Sequence, residues 1–236
     1  MKKLLVILAS LVLSTGFSFA KEVTKKDIQL IKESFPMVFG NEGIIINKTV
    51  DFDNLKLLDI TIQGRAMTVF YSKIDKKLIF GNVIDTDGQK LEAPKNTKII
   101  KNGIINSYGS GKKDIYIVTD LECPYCKRLE NNLDENIYKE YTIHTIFMPL
   151  SFHKNAMDMS LWVIAGTTKK ERHQRISKAL KGDMAYKTFK PKNKKELEKK
   201  LKLSIRAAKE LKAQGTPAVY DENFNSINYQ ILLKKK

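Results

Sequence analysis

Two cysteines three residues apart constrain this sequence more than any other feature. The motif Cys123-Pro-Tyr-Cys126 contains both cysteines of the 236-residue chain. The run 114–120 that precedes it is β-branched and aromatic, which predicts a buried strand. The charged run 127–141 that follows has apolar residues at helical spacing, which predicts a helix. The motif is therefore expected where a strand passes into a helix.

Cys123 is predicted to lie at the first turn of that helix. Unpaired backbone N–H groups and the helix dipole favour a negatively charged sulfur there. Pro124 suits this turn because its missing N–H costs nothing at the start of a helix. Cys126, one turn further on, can close a small disulfide ring with Cys123. This arrangement predicts a thioredoxin-like redox site with Cys123 and Cys126 as the catalytic residues and no cofactor.

Three other interpretations of the cysteine pair compete with a redox role. A zinc site needs two further ligands, which His144, His153 and His173 would have to supply, and no metal is expected. A purely structural disulfide across so short a loop stabilises a fold little in the chain-entropy model. Two reduced cysteines that lie in the core by chance would be common in a cytosolic protein, but not at a junction between a strand and a helix. The redox interpretation is favoured over all three.

The first twenty residues predict an export signal. Lys2 and Lys3 precede the apolar run 4–13, and Ser18-Phe-Ala20 has the small-x-small pattern of a cleavage site. The apolar run is short for a bilayer-spanning helix, so a cleaved signal is favoured over an uncleaved anchor. The mature protein is expected to begin near Lys21, in a compartment where disulfides persist.

The chain is strongly basic, with a formal net charge of +16. Lysines and glutamates alternate along 192–200, as on a solvated helix face. These lysines are not accompanied by the aromatic and arginine side chains on which nucleic-acid bases stack, so nucleic acid is not an expected partner. A preference for acidic client proteins, on which this protein would act, or for anionic surfaces stays open.

The N-terminal part of the mature chain is predicted to be a small α+β unit. A helix is expected over 24–35, with Thr24 and Asp27 as a capping pair and Pro36 and Gly40 ending it. Four strands follow, and in the second the residues Leu58, Ile60 and Ile62 alternate as in a sheet with one buried face. The four predicted strands are Ile44–Val50, Lys56–Gln63, Arg65–Ser72 and Leu78–Ile84.

The remaining chain is predicted to be a linker followed by a larger unit. The run 91–112 is rich in turn residues and is expected to be the linker, with a short helix or strand over 97–105. A second buried strand is expected over 141–150. Three helices are expected after this strand. The first has an apolar stripe of Met157, Leu161 and Ile164, the second begins with a capping box at 168–171, and the third covers 193–213. The last residues, 225–236, are predicted to form a strand and a basic end.

A second informative segment is Gly215-Thr-Pro-Ala-Val219. The glycine ends the long helix, and Pro217 opens a strand at a position where it donates no ladder hydrogen bond. In thioredoxin-like folds a proline at this position is cis and faces the cysteine pair. An ordinary trans proline on an edge strand is the alternative.

These segments together resemble the DsbC/DsbG family of periplasmic thiol:disulfide interchange proteins. The resemblance covers nearly all of the chain after the signal and rests on segments that occur in the family's order: 71–88, Thr119–Lys127, Phe147-Met-Pro149 and Gly215–Val219. It implies an N-terminal cystatin-like dimerisation domain (21–90), a linker (91–112) and a thioredoxin-fold catalytic domain with inserted helices (113–236). It also implies a soluble periplasmic homodimer.

The resemblance also implies what each site residue does. Cys123 attacks client disulfides and Cys126 resolves the mixed disulfide, while Pro124, Tyr125, Thr216 and Pro217 contact the client. Apart from the resemblance, Asp120 and Glu122 are acids close to the cysteines; either could affect proton transfer, but an exposed acid is the expected outcome. Clients are misfolded or disulfide-containing exported proteins, and a DsbD-like membrane reductase supplies electrons. A DsbA-like dithiol oxidase, or a holdase chaperone with dispensable cysteines, remains an alternative.

Overall fold

The computed structural model describes residues 25–40, 43–84, 86, 88 and 90–233. The predicted export signal and Thr24 lie outside these residues. The chain divides into two compact units, which meet in sequence between Pro94 and Lys95. Within the described residues, no helix combines the length and the apolar character needed to cross a bilayer.

The first unit is a four-stranded antiparallel sheet with two short helices. Its elements are α1 (Lys25–Ser34), α2 (Pro36–Phe39), β1 (Ile44–Phe52), β2 (Leu55–Ile62), β3 (Arg65–Ser72) and β4 (Lys77–Phe80). The strands lie in sequence order, so each hairpin neighbour is also a sheet neighbour. Ile31 of α1 packs with Leu58 and Ile60 on one face. Leu57 and Phe70 are buried on the other face of the sheet, although the sequence predicts that only one face is buried.

Two features of this unit differ from the prediction beyond shifts of one or two residues at strand ends. Pro36 does not simply end the first helix: it occupies the first turn of α2, where its fixed φ is tolerated. The last strand was predicted over 78–84 but stops at Phe80. Gly81 has a φ of 147°, which leaves the extended conformation, and Ile84 forms only an isolated bridge with Lys90.

The second unit is a mixed sheet flanked by helices. Its elements are α3 (Thr97–Asn102), β5 (Asn106–Tyr108), β6 (Lys113–Thr119), α4 (Pro124–Glu130), α5 (Glu135–Glu140), β7 (Tyr141–Phe147), α6 (Ala156–Ile164), α7 (Lys169–Leu180), α8 (Lys194–Glu210), β8 (Ala218–Tyr220) and β9 (Ser226–Ile227). Two short 3₁₀ turns cover Ala185–Thr188 and Tyr229–Leu232. The strand order is β5-β7-β6-β8-β9, with β6 and β7 parallel and the other pairs antiparallel.

Alternation along the central strand β6 places a helix layer on each face of this sheet. Tyr116 and Val118 pack against Ala207 and Ala208 of α8 on one face. Ile115 and Ile117 pack against the Leu129 side of α4 on the other. The sheet is therefore buried on both sides, and its strand ends are where side chains remain accessible.

The single helix predicted over 127–141 is two helices. The first, α4, ends at Glu130, and Asp134 caps α5 by accepting hydrogen bonds from the backbone N–H groups of Asn136 and Ile137, at 3.0 and 3.2 Å. A capping aspartate offers the backbone an alternative to continuing the helix. Asp134 is therefore the sequence signal for the break between α4 and α5. The apolar residues keep a helical spacing across the break, and for that reason a single helix was predicted.

The inserted helices follow the predicted capping pattern with one correction. Thr168 accepts a hydrogen bond from the Glu171 backbone N–H, which confirms one half of the predicted capping box. The Glu171 carboxylate accepts its hydrogen bonds from the backbone N–H and hydroxyl of Thr167 rather than from Thr168. Trp162 is buried in the core. Met157, predicted to lie on the buried stripe of α6, is 47 % exposed. The other two residues of the predicted stripe, Leu161 and Ile164, are buried, and so are Met159 and Val163, because α7 and α8 both pack against α6.

Candidate active site

Cys123 lies at the junction that the sequence predicted. Strand β6 ends at Thr119, a short turn follows, and Cys123 is the N-cap residue of α4 with Pro124 in the first turn. The Cys123 carbonyl accepts the first helical hydrogen bond from the Lys127 N–H, at 3.1 Å. The sulfur therefore lies beside the helix end where unpaired N–H groups concentrate.

The second informative segment meets the cysteine pair. The Cys123 thiol donates a hydrogen bond to the Thr216 carbonyl, with a distance of 3.3 Å between Sγ and O. The Thr216–Pro217 peptide bond is cis, and β8 begins at the next residue. Residues 93 positions apart in sequence thus form one site.

Cys126 is the less accessible member of the pair. Its residue is 2 % exposed, compared with 5 % for Cys123, and the structure holds both as free thiols. The Asp120 N–H donates to Cys126 Sγ at 3.5 Å. Burial raises the pKa of Cys126 to about 12, and this effect outweighs the hydrogen bonds that lower the pKa. Cys126 is therefore protonated at neutral pH and needs a proton acceptor before it can act as a nucleophile.

Exposed apolar side chains lie on the segments next to the motif. Tyr125, between the two cysteines, is 59 % exposed, and Phe152 is 73 % exposed. Pro124 is also exposed, while Thr216 and Pro217 are half-buried. These side chains place accessible apolar surface on the segments around the cysteine motif.

Asp120 contradicts the expectation of an exposed acid. It is 1 % exposed, and its carboxylate accepts three hydrogen bonds. These come from the backbone N–H groups of Glu122 and Leu150, at 2.8 and 2.7 Å, and from Nδ1 of His153, at 2.9 Å. A buried carboxylate is tolerated when it is paired and hydrogen-bonded in this way. Asp120 therefore fixes the loop 150–155 to the turn that carries Cys123.

Glu122 fixes the other end of that loop and is half-buried. Its carboxylate accepts hydrogen bonds from the Asn155 backbone N–H at 2.7 Å and from the Asn155 side chain at 2.9 Å. Burial on its own raises the pKa of Glu122, but the hydrogen bonds from Asn155 lower it below its usual value. These contacts could not be predicted from local sequence patterns, because they join residues more than thirty positions apart.

A small cavity behind the pair contains a second group of polar side chains. Its volume is about 10 Å³, and Cys126, Glu130, Thr145 and Tyr108 contribute to its lining. Burial raises the pKa of Glu130 to about 7, although the charge of Lys181 and a hydrogen bond with Tyr108 lower it. The Thr145 hydroxyl is buried without a partner. The sequence analysis did not identify Glu130 as a site residue. Its position four residues after Cys126 is the signal that could have found it, because this spacing places both side chains on one face of α4.

The three histidines do not converge. His144 pairs with Ser107 and Asp114, His153 with Asp120, and His173 stacks near Tyr108. Among the residues that the structure describes, no group of three or more His, Cys, Asp or Glu side chains is arranged to hold a metal ion.

Comparison with known families decides the assignment. The model of a thioredoxin-like domain matches residues 100–223, which is more than half of the chain. The chain belongs to the thioredoxin-like family. The matched range contains the cysteine motif, the acids around it and the Thr216–Pro217 segment, and the mixed α/β fold of the second unit is the thioredoxin-like fold.

Solved structures with a similar fold include the catalytic domain of Proteus mirabilis ScsC, with 21 % identity, 57 % of this chain and 90 % of that chain covered, and a TM-score of 0.38. The thiol-disulfide exchange protein alpha-DsbA2 from Wolbachia pipientis has 14 % identity, coverages of 57 % and 89 %, and a TM-score of 0.44. Helicobacter pylori DsbG has 13 % identity, coverages of 82 % and 99 %, and a TM-score of 0.41. A search of curated proteins found no match.

Proposed function

We propose that the protein is a thiol:disulfide oxidoreductase that isomerises or reduces incorrect disulfides in exported proteins. The observation that carries this proposal is the position of the Cys123 sulfur, 3.3 Å from the Thr216 carbonyl, with Cys126 buried one helical turn behind it. A client strand that pairs with the backbone at Thr216 would bring its disulfide to Cys123. The family match supports the same chemistry.

The reaction begins when the Cys123 thiolate attacks one sulfur of a client disulfide. The client S–S bond breaks, a Cys123–client disulfide forms, and the other client sulfur leaves as a thiolate. In isomerisation, that thiolate attacks a second client disulfide, and the client thiolate finally released attacks the mixed disulfide and frees Cys123. No electrons are gained or lost overall.

In reduction, Cys126 loses its proton and attacks the Cys123 sulfur. The client gains two electrons and leaves with both sulfurs reduced, and the protein loses those two electrons and forms a Cys123–Cys126 disulfide. An external dithiol must then return two electrons, and a DsbD-like membrane reductase in the periplasm is the expected donor. In both reactions the client contacts the residues around the cysteine pair, namely Pro124, Tyr125, Thr216 and Pro217.

We assign dimerisation to the first unit. Its two edge strands carry exposed apolar side chains: Ile45 on β1 is 57 % exposed, and Phe80 on β4 is 57 % exposed. Exposed edges of this kind favour pairing with a second sheet. A homodimer would hold two redox sites in one assembly, which suits repeated attack on one client.

Activity on scrambled ribonuclease tests the proposed function. The protein is expected to restore ribonuclease activity, and Cys123→Ser is expected to abolish this while Cys126→Ser retains part of it, because isomerisation does not need the resolving thiol. Suppression of client aggregation by Cys123→Ser without reshuffling would support an additional holdase role. Oxidation of reduced ribonuclease without reshuffling would replace the proposal with the DsbA-like oxidase alternative.

A further inference from the structure

The positive charge of this protein is concentrated in a short part of the second unit. Residues 95–236 contain 29 Lys or Arg and 15 Asp or Glu, a net charge of +14 out of +16. Residues 187–212 alone contain eleven Lys or Arg and three Glu, a net charge of +8. More than half of that unit's net charge therefore lies in the segment that contains α8 and the turns beside it.

Five of these cations lie in one line along α8. We call them the basic stripe: Lys195, Lys199, Lys202, Arg206 and Lys209. Their spacing alternates between four and three residues, which places all five on one helix face. All five side chains are exposed. At 1.5 Å per residue the stripe is about 21 Å long.

Acidic residues next to the stripe do not neutralise it. Glu196 accepts a hydrogen bond from the Asn193 side chain, and Glu198 pairs with Lys194. Glu210 accepts a hydrogen bond from the backbone N–H of Asn96. Across the part of the chain that the structure describes, no salt bridge within 4 Å includes a stripe residue.

The stripe also lies apart from the redox site. The opposite face of α8 buries Leu197, Leu201 and Ala208, the first two in the same core cluster as the cysteines, so the stripe faces away from that core. Helix α4, which carries the cysteines, lies on the other face of the sheet with Leu129. A partner on the stripe would therefore leave Cys123 accessible.

Like charges three and four residues apart destabilise a helix, so a stripe without counter-ions needs an explanation outside the fold. We propose that the basic stripe is a docking face for an anionic phospholipid bilayer. A straight convex ridge of lysines suits a plane of mobile headgroups, and polybasic helix faces bind such surfaces through charge.

The composition of the stripe disfavours other anionic partners. Protein interfaces are depleted in lysine and enriched in tyrosine, tryptophan and arginine. Single-stranded nucleic acid needs aromatic side chains for stacking, and the stripe has none. Four of its five members are lysines, which bind phosphate as point charges without the bidentate geometry of arginine. This proposal does not depend on the redox reaction.

Co-sedimentation with vesicles tests the proposal. Protein purified after expression of the full chain is mixed with vesicles of phosphatidylcholine, with or without phosphatidylglycerol. Binding is expected only with phosphatidylglycerol and is expected to weaken as salt rises, because screening shortens the range of the attraction. Replacing all five stripe residues by Gln is expected to lower the partition coefficient about 3,000-fold, since each basic side chain at an anionic surface contributes about a fivefold factor.

A matched variant separates the stripe from net charge. It replaces five exposed lysines that do not form a line, namely Lys112, Lys139, Lys169, Lys170 and Lys178, by Gln. It is expected to bind nearly as the unchanged protein does. Equal losses in both variants, or no binding to phosphatidylglycerol vesicles, would overturn the proposal, as would stripe-dependent binding to duplex DNA that vesicles do not displace. Circular dichroism and reaction with a small disulfide, expected to be unchanged in both variants, exclude misfolding.

Discussion

Burial raises the pKa of Glu130 into the range of a proton acceptor that works near neutral pH. It shares a cavity of about 10 Å³ with Cys126, close to the volume that one water molecule needs. Cys126, with its pKa raised to about 12 by burial, requires a proton acceptor when it attacks the mixed disulfide. A carboxyl group with a pKa of about 7 accepts a proton readily above that pH.

We therefore predict that Glu130→Gln slows the Cys126-dependent step. In the unchanged protein, release of a trapped client is expected to accelerate as pH rises through about 7, and in the variant this acceleration is expected to be lost, with a rate about tenfold or more lower at pH 8. Stopped-flow measurement of mixed-disulfide decay provides the rates. Glu135→Gln, at an exposed position on α5, is the control, and an identical pH profile for Glu130→Gln would contradict the role.

Stability provides a second readout for the same variant. The pKa of Glu130 is raised in the folded state above its usual value near 4.3, so the folded protein keeps a proton that the unfolded chain loses. Between about pH 4.3 and 7, the free energy of unfolding therefore falls as pH rises. Glu130→Gln removes this loss, on the order of 2 kcal/mol, and denaturation at pH 5 and pH 8 measures the difference.

Asp120 is predicted to matter for stability more than for chemistry. Asp120→Ala leaves the N–H groups of Glu122 and Leu150 and the ring N–H of His153 without an acceptor. Losing a buried charged partner costs about 3–5 kcal/mol. Chemical denaturation is expected to show this loss, and Asp158→Ala, at an exposed position on α6, is expected to show almost none. A change below about 1 kcal/mol for Asp120→Ala would show that water replaces the carboxylate.

At the scale of elements, the loop 150–155 is predicted to contribute to client binding. Asp120 and Glu122 fix it beside the motif, and it presents Phe152 to solvent. Phe152→Ser is expected to raise the KM for an unfolded client about tenfold, because an aromatic anchor contributes on this scale. Reaction with a small disulfide is expected to be unchanged. Met184→Ser, another exposed apolar position, is the comparison, and equal effects on both substrates would exclude a binding role for Phe152.

The elements also show what the sequence could predict. The strand over Arg65–Ser72, the N-cap of α7 and the long helix α8 followed directly from local patterns. The break between α4 and α5 did not, because Leu129, Leu133 and Ile137 all pack on the same sheet face and keep one helical spacing across it. The loop 150–155 could not be predicted from local pattern, since its position depends on acids some thirty residues away.

At the scale of the molecule, the unit boundary affects how fragments are designed. The sequence placed the start of the catalytic domain at residue 113, but Ile100 of α3 and Asn106 of β5 are buried within the second unit. A fragment that starts at 113 would lose one helix and one sheet strand. Lys95 is therefore the better starting point for a folded second unit.

The last prediction concerns what the first unit does for the redox state. If its exposed edge strands pair two protomers, each cysteine pair is shielded from a membrane oxidase, and thiol trapping in cells is expected to find Cys123 and Cys126 mostly reduced. A chain without 25–94 is expected to be monomeric by light scattering and to shift toward the Cys123–Cys126 disulfide. Ile45→Lys with Phe80→Lys offers a full-length comparison, because a charge on each edge opposes strand pairing. A full-length protein that is monomeric, or mainly oxidised in cells, would contradict the isomerase and reductase proposal and favour an oxidase.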